Sequence, residues 1–172
     1  MFLLAAGCGN SQVNVSEEGK VSLPFGKSYN YDNILVVRAV DGDTLKLENG
    51  ERVRLIGIDT PEMHESAKLY RDSKKSGQDI RTIQALGRKA YEFTRYLVEG
   101  KRVRLEFDLE KQDKYKRLLA YVYLPDGTFV NAEIVKRGYA SLMTYPPNVK
   151  YVDTFKKLYQ EARENKRGLW KE

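Results

Sequence analysis

The 172-residue sequence holds one cysteine, Cys8, and one histidine, His64. The lone thiol excludes a disulfide scaffold, a thiolate zinc cluster and an internal redox pair. The lone imidazole excludes a histidine-rich metal centre. No apolar run approaches the roughly 20 residues needed to span a bilayer as a helix, and neither a repeat nor a long low-complexity segment is visible. The chain is instead 41% hydrophobic and 31% charged, the composition of a globular protein. Its length allows one ordinary domain plus a short extension. A domain of that size hides roughly 70% of its unfolded surface and needs no covalent staples.

Lys and Arg number 30 against 24 Asp and Glu, a formal charge of +6. Glu17, Glu18, Lys20 and Lys27 cancel within residues 1–30, so the whole excess falls in residues 31–172. A basic domain favours a polyanionic partner, because neutralising phosphates releases counterions and steers association. A solvated basic surface accounts for the charge equally well, and charge alone does not separate the two.

The start, Met1-Phe2-Leu3-Leu4-Ala5-Ala6-Gly7-Cys8, passes from apolar to small residues and then to cysteine. It resembles the tail of a bacterial lipoprotein signal, in which the cysteine receives lipid and becomes the mature N-terminus. No basic stretch precedes it and the apolar run is short for a full signal core; a start site further upstream would supply both. The bland alternative is a frayed terminus with an incidental thiol. Residues 9–30 are polar and rich in Gly, Ser, Asn and Glu, as a flexible tether would be. Remnant (1–8), tether (9–30) and domain (31–172) together predict an extracytoplasmic protein, secreted or lipid-anchored at Cys8.

Within the domain, Ile34 to Val40 reads as a buried strand. Thr44 to Leu47 and Arg52 to Ile56 alternate about the turn Glu48-Asn49-Gly50-Glu51, which predicts a hairpin. Lys101 to Phe107 and Leu118 to Leu124 supply two further strands, the second closed by the turn Pro125-Asp126-Gly127. Five short strands in this order suggest a small barrel. Apolar residues at steps of three or four predict three helices: Ile80 to Leu97, stopping near Gly100; Val130 to Val135, ending near Gly138; and Val152 to Ala162.

Two segments concentrate acids where a half-buried sheet has no structural use for them. Asp41-Gly42-Asp43-Thr44 opens one strand, and Arg54-Leu55-Ile56-Gly57-Ile58-Asp59-Thr60-Pro61-Glu62 closes the next. Matching the apolar faces sets Leu45 opposite Leu55 and Leu47 opposite Val53, which continues to Asp41 opposite Asp59 and Asp43 opposite Gly57. Asp43 and Asp59 then share one face, where two carboxylates repel unless a positive group lies between them. Hard oxygen donors without thiol or imidazole suit calcium or magnesium. Pro61 ends the strand and puts Glu62 in a loop, where it could act on a water as general base. Arg54 offers a fork for a phosphate oxygen. Strict alternation points Arg54 away from Asp59, a conflict that a bulge near Gly57 would resolve. Each acid taken singly could be a turn residue or a surface charge. The third cluster, Asp113-Lys114-Tyr115-Lys116-Arg117, combines phosphate-binding cations with a tyrosine able to stack on a base.

These three motifs, followed by Leu118-Leu119-Ala120-Tyr121, resemble the staphylococcal (thermo)nuclease family over about residues 32–170, in the family's order. The resemblance implies an OB-fold, a five-stranded barrel with about three α-helices (α+β), and calcium-dependent cleavage of DNA and RNA to products with a 3′-phosphate. It implies that Asp43 and Asp59 bind calcium by their carboxylates and Thr60 by its carbonyl, that Arg54 holds the scissile phosphate, and that Glu62 acts on the attacking water. By the same resemblance Arg117 stabilises charge on the phosphoryl group and leaving oxygen, while Lys114 and Tyr115 contact a terminal phosphate. Tyr145, in Thr144-Tyr145-Pro146-Pro147-Asn148, is expected to stack on a base. Lys116 departs from the glycine usual there. The stretch 63–86 is longer by roughly a dozen residues than in the best-known members; its Lys68, Arg71, Lys74, Lys75 and Arg81 form either a basic lip over the substrate or a solvated helical extension.

The sequence thus predicts a monomeric nuclease acting on DNA and RNA, single strands favoured, with no protein partner implied. A non-catalytic nucleic-acid-binding OB module is the alternative. A structural or peptide-binding surface barrel ranks last, since no aromatic groove is apparent.

Overall fold

A computed structural model describes residues 30–171; the lipoprotein-like remnant, Cys8 and nearly all of the tether lie outside the described residues. The valine- and leucine-rich segments form the expected strands: β1 (Ile34–Asp41), β2 (Thr44–Leu47), β3 (Arg52–Leu55), β5 (Arg102–Glu106) and β6 (Leu118–Tyr123). They close a barrel in the order β1-β2-β3-β6-β5, with β3 and β6 parallel and the other paired neighbours antiparallel. Val36, Leu45, Leu47, Val53, Leu55, Val103, Ala120 and Val122 fill its interior. The architecture is a five-stranded OB-type barrel with helices packed against it, and no helix among the described residues is long and apolar enough to cross a membrane.

The β2–β3 register differs from the sequence expectation by two residues. Leu45 pairs with Val53 and Thr44 with Arg54. The hairpin closes earlier, through bonds from the Leu47 N–H to the Glu51 carbonyl and from the Gly50 N–H to the Leu47 carbonyl. A shift of two keeps every side chain on its face, so the apolar pattern could not reveal it. The consequence is that Asp43 meets Leu55 rather than Gly57, the Leu55 N–H donating to the Asp43 carbonyl at 2.9 Å.

Asp59 is not in that hairpin at all, so the expected pairing with Asp41 does not occur. The chain turns at Ile56 and Gly57 and enters a separate short strand, β4 (Gly57–Asp59), which pairs with β7 (Ser141–Met143). Gly57 sits at φ +84°, and a Cβ there would collide with the Phe155 ring. The fully buried Asn131 fixes this break, donating to the Ile56 and Ala120 carbonyls and accepting from the Val122 N–H.

Among the described residues there are four α-helices rather than about three: α1 (Ala67–Ser76), α2 (Ile80–Val98), α3 (Val130–Lys136) and α4 (Val152–Glu164), followed by a 3-10 turn at Gly168–Trp170. The additional helix, α1, lies in the long 63–86 segment. Ser66 caps it by accepting from the Leu69 N–H at 3.1 Å, and Leu69 is its single buried residue. The deepest line on α2 is Ile83, Gly87, Ala90, Thr94 and Val98, displaced from the expected apolar stripe. The small and polar members face the acid-bearing loops: Thr94 Oγ1 donates to the Gly42 carbonyl at 2.7 Å, and a Cβ on Gly87 would lie 2.7 Å from the Pro61 carbonyl oxygen.

Candidate active site

The barrel rim gathers the acids from three directions. Asp41 ends β1 and Asp43 lies in the tight turn before β2. Asp59 ends β4, held by its pairing to Ser141, whose Oγ also donates to the Asp59 carbonyl at 3.1 Å. Thr60 fastens two of these loops together: its N–H and its Oγ1 donate to Asp43 Oδ2 at 2.9 and 3.0 Å. Asp43 is consequently only 6% exposed, and Thr60 3%.

Arg54 stands between the two predicted metal carboxylates. Its Nη1 lies 3.1 Å from Asp43 Oδ2, and its Nη2 donates to Asp59 Oδ1 at 2.9 Å. Nη1 also donates to the Ile58 carbonyl at 2.9 Å. The predicted conflict of facing is resolved by the turn at Gly57, which swings Asp59 toward Arg54; no extra residue is inserted into the β2–β3 pair. In this state the arginine fork is engaged by carboxylates.

A second cation comes from α1, in the long 63–86 segment. Lys68 Nζ lies 3.2 Å from Asp59 Oδ2, 3.2 Å from Glu62 Oε1 and 3.5 Å from Asp72 Oδ2, and donates to the Thr60 carbonyl at 3.1 Å. Glu62 also accepts from Ser66 Oγ at 3.4 Å. Asp43, Arg54, Asp59, Thr60 and Glu62 are therefore brought into one cluster, with Lys68 linking Glu62 to the rest.

The cluster is short of positive charge. Burial raises the Asp41 carboxyl to about 6, with repulsion from Asp43 and Glu62 adding to it. Burial likewise pushes Asp59 above the usual carboxylate range despite Lys68 and Arg54 beside it. Burial opposes the charge on Lys68 too, yet Asp59 and Glu62 outweigh it and hold the ammonium above its usual value. These directions belong to one balance: the acids have more buried charge than Arg54 and Lys68 return. Among the described residues, no group of three or more His, Cys, Asp or Glu side chains forms a ready-made metal cage. The donor chemistry nevertheless suits a hard cation, since an ammonium already draws on Asp59 and the Thr60 carbonyl.

Arg54 also forms part of the wall of a cavity of about 560 Å³ lined by Arg71, Glu110, Asp113, Lys114, Tyr115, Arg117, Tyr145, Asn148 and neighbouring apolar residues. Asp43, Asp59, Thr60 and Glu62 are not in its lining, so Arg54 is the residue common to acid cluster and groove. Arg117 is steadied by Asp113, its Nε donating to Oδ2 at 2.7 Å and its backbone N–H to Oδ1 at 2.9 Å. Burial works against the charge on Asp113, but these bonds outweigh it and hold the carboxyl below its usual range. Lys116 adopts φ +63°, so the loop keeps the left-handed geometry that favours glycine. Tyr115 is 68% exposed, with the Lys114 ammonium 5.0 Å and the Arg117 guanidinium 5.5 Å from its ring centre; Tyr145 is 71% exposed on the same cavity.

Sequence patterning assigned Lys68 to a basic lip or a solvated helix and not to the acid cluster, missed Asn131 and the supporting Thr94 and Gly87, and gave Asp41 no role. The local signals for α1 were the Ser66 cap, the pairing of Lys68 with Asp72 four residues on, and Gly77 at its end. Asn131 and Thr94 act on carbonyls 75 and 52 residues away, beyond any local pattern.

An arginine shared by buried acids and a groove, on a closed OB-type barrel, makes a site suited to a phosphodiester. The family model described as staphylococcal nuclease homologue matches residues 52–172. The chain is 38% identical to a thermonuclease of Staphylococcus intermedius, over 86% of this chain and 83% of the relative. It is 36% identical to endonuclease YncB of Bacillus subtilis, over 94% and 72% respectively. A thermonuclease of Staphylococcus hyicus matches at 31% over 91% and 86%. The chain belongs to the staphylococcal nuclease homologue family.

Proposed function

We propose that this chain is a calcium-dependent endonuclease that hydrolyses phosphodiester bonds of DNA and RNA with little sequence preference and leaves 3′-phosphate ends. One observation carries the reading: Arg54 is bonded to Asp43 and Asp59 and at the same time forms a wall of the groove that Lys114, Tyr115, Arg117 and Tyr145 line. Asp43, Asp59 and the Thr60 carbonyl would hold calcium, and their hard oxygens suit it. Calcium bound there would supply Lewis-acid stabilisation of charge on the phosphoryl oxygens. Glu62 takes a proton from the attacking water as its oxygen bonds to phosphorus. The bond from phosphorus to the 5′ oxygen breaks, its electron pair leaves on that oxygen, and the phosphate stays on the 3′ side. Arg54 and Arg117 stabilise the charge that builds on the phosphoryl group. Lys114 binds a terminal phosphate with Tyr115, whose exposed ring, like that of Tyr145, offers a face to an unpaired base. That favours single strands over duplex, and nothing in the site needs a protein partner.

The test is digestion of mixed-sequence single-stranded DNA by the full chain, with calcium and with a calcium-specific chelator. Degradation is expected only with calcium, and the fragments should carry 3′-phosphates. Glu62→Gln should lose activity by about 10²-fold or more, the scale of a general base, while still binding nucleotide. DNA that is bound but never cut at any calcium concentration would make the domain a non-catalytic nucleic-acid-binding OB module. We place residues 31–172 outside the cytoplasm, either secreted or held by lipid on Cys8 through the 9–30 tether. Cys8→Ser should then release the protein from the membrane fraction, and unchanged fractionation would remove the anchor.

A further inference from the structure

We propose that Lys68 is a tethered counter-cation that occupies part of the divalent-cation site and sets its affinity. The inference rests on the reading of Asp59 and the Thr60 carbonyl as metal donors. Lys68 Nζ reaches both of them, at 3.2 and 3.1 Å, and reaches Glu62 Oε1 at 3.2 Å. One ammonium thus takes up oxygens from two expected metal donors and from the expected general base. An ammonium and a divalent cation compete for the same lone pairs, so binding of one requires that the other leave.

The placement is built into the fold. Leu69, the residue after Lys68, is wholly buried and pins the first turn of α1. Ser66 caps that turn and also donates to Glu62, so the helix start and the acid loop are tied together. Asp72, one turn on, lies 3.5 Å from the ammonium and is more exposed than the other two carboxylate partners, Asp59 and Glu62. It offers Lys68 a carboxylate to keep when it gives up Asp59 and Thr60. Lys68 is therefore a residue that determines metal affinity, and Asp72 is the partner that receives it.

The test is calcium titration of the full chain by calorimetry, comparing wild type with Lys68→Met, Lys68→Arg and Asp59→Asn. Lys68→Met is expected to bind calcium at least tenfold more tightly, Lys68→Arg to stay near wild type, and Asp59→Asn to bind at least tenfold more weakly. Unchanged or weaker binding in Lys68→Met overturns the proposal. Unchanged binding in Asp59→Asn instead overturns the metal-donor reading beneath it. A second measurement needs no variant: acetylation of lysines followed by mass spectrometry, with and without saturating calcium. Lys68 should become several-fold more reactive when calcium is added, while Lys74 and Lys75 on the same helix do not change. Equal reactivity of Lys68 in both conditions overturns the proposal.

Discussion

At the scale of single residues, the acid cluster is a place where folding is opposed by its own charges. Asp41 shows this most directly, because its carboxyl is held at about 6 against an ordinary 3.8, first by burial and then by Asp43 and Glu62. A carboxyl whose pKa rises on folding favours the folded state while it is protonated. That contribution is complete below the unfolded value and is lost as pH climbs through the folded one. A shift of this size corresponds to roughly 3 kcal/mol, large against a typical folding free energy. Protein kept in chelator should therefore lose stability between about pH 4 and pH 7, and Asp41→Asn should lose less over that window. Thermal melts of the two proteins across the range check this. Identical slopes would show that the burden falls on other groups.

At the scale of elements, the break between β3 and β4 is what makes a site out of two motifs. Had β3 continued, alternation would have sent Arg54 and Asp59 to opposite faces. The turn at Gly57 instead hands Asp59 to a new partner strand and returns it to Arg54. Gly57→Ala meets two obstacles, a left-handed backbone and the Phe155 ring. It should cost about 2–4 kcal/mol, combining the two penalties, and lower nuclease activity through misplacement of Asp59. Urea denaturation beside an activity assay checks this; an unchanged midpoint would mean the kink tolerates a side chain. The five barrel strands and three of the helices were legible because each buries a periodic apolar face. The register was not, because a slip of two leaves that face intact. Helix α1 was legible only as one of two readings of its segment, because a single leucine pins an otherwise charged stretch. Asp43, Arg54, Asp59 and Glu62 were legible through motif chemistry, and Thr60 only through the family resemblance. Lys68 was not, since its partners are chosen by the packing of α1.

At the scale of the whole molecule, a net charge of +6 says little about where a polyanion would lie. Many of the cations are engaged by acids: Arg102 by Glu48, Arg137 by Glu133, Lys150 by Glu106, Arg167 by Glu161. What counts is which cations face the groove, and there the long 63–86 segment contributes one of its own. Arg71, one turn after Lys68 on α1, is exposed and lines the same cavity as Lys114 and Arg117. The segment forms a helix, solvated on most of its surface, with Arg71 bordering the groove. If substrate runs along this wall, Arg71 neutralises one phosphate outside the scissile position. Each such contact on a single strand contributes about 0.7 to the slope of log affinity against log salt. Binding of a single-stranded oligonucleotide to the Glu62→Gln protein should lose about that much slope when Arg71→Ala is added. Turnover of the otherwise wild-type Arg71→Ala enzyme at saturating substrate should stay close to normal, because Arg71 makes none of the contacts within the acid cluster. An unchanged slope would take the substrate track away from Arg71 and leave α1 to the acid cluster alone.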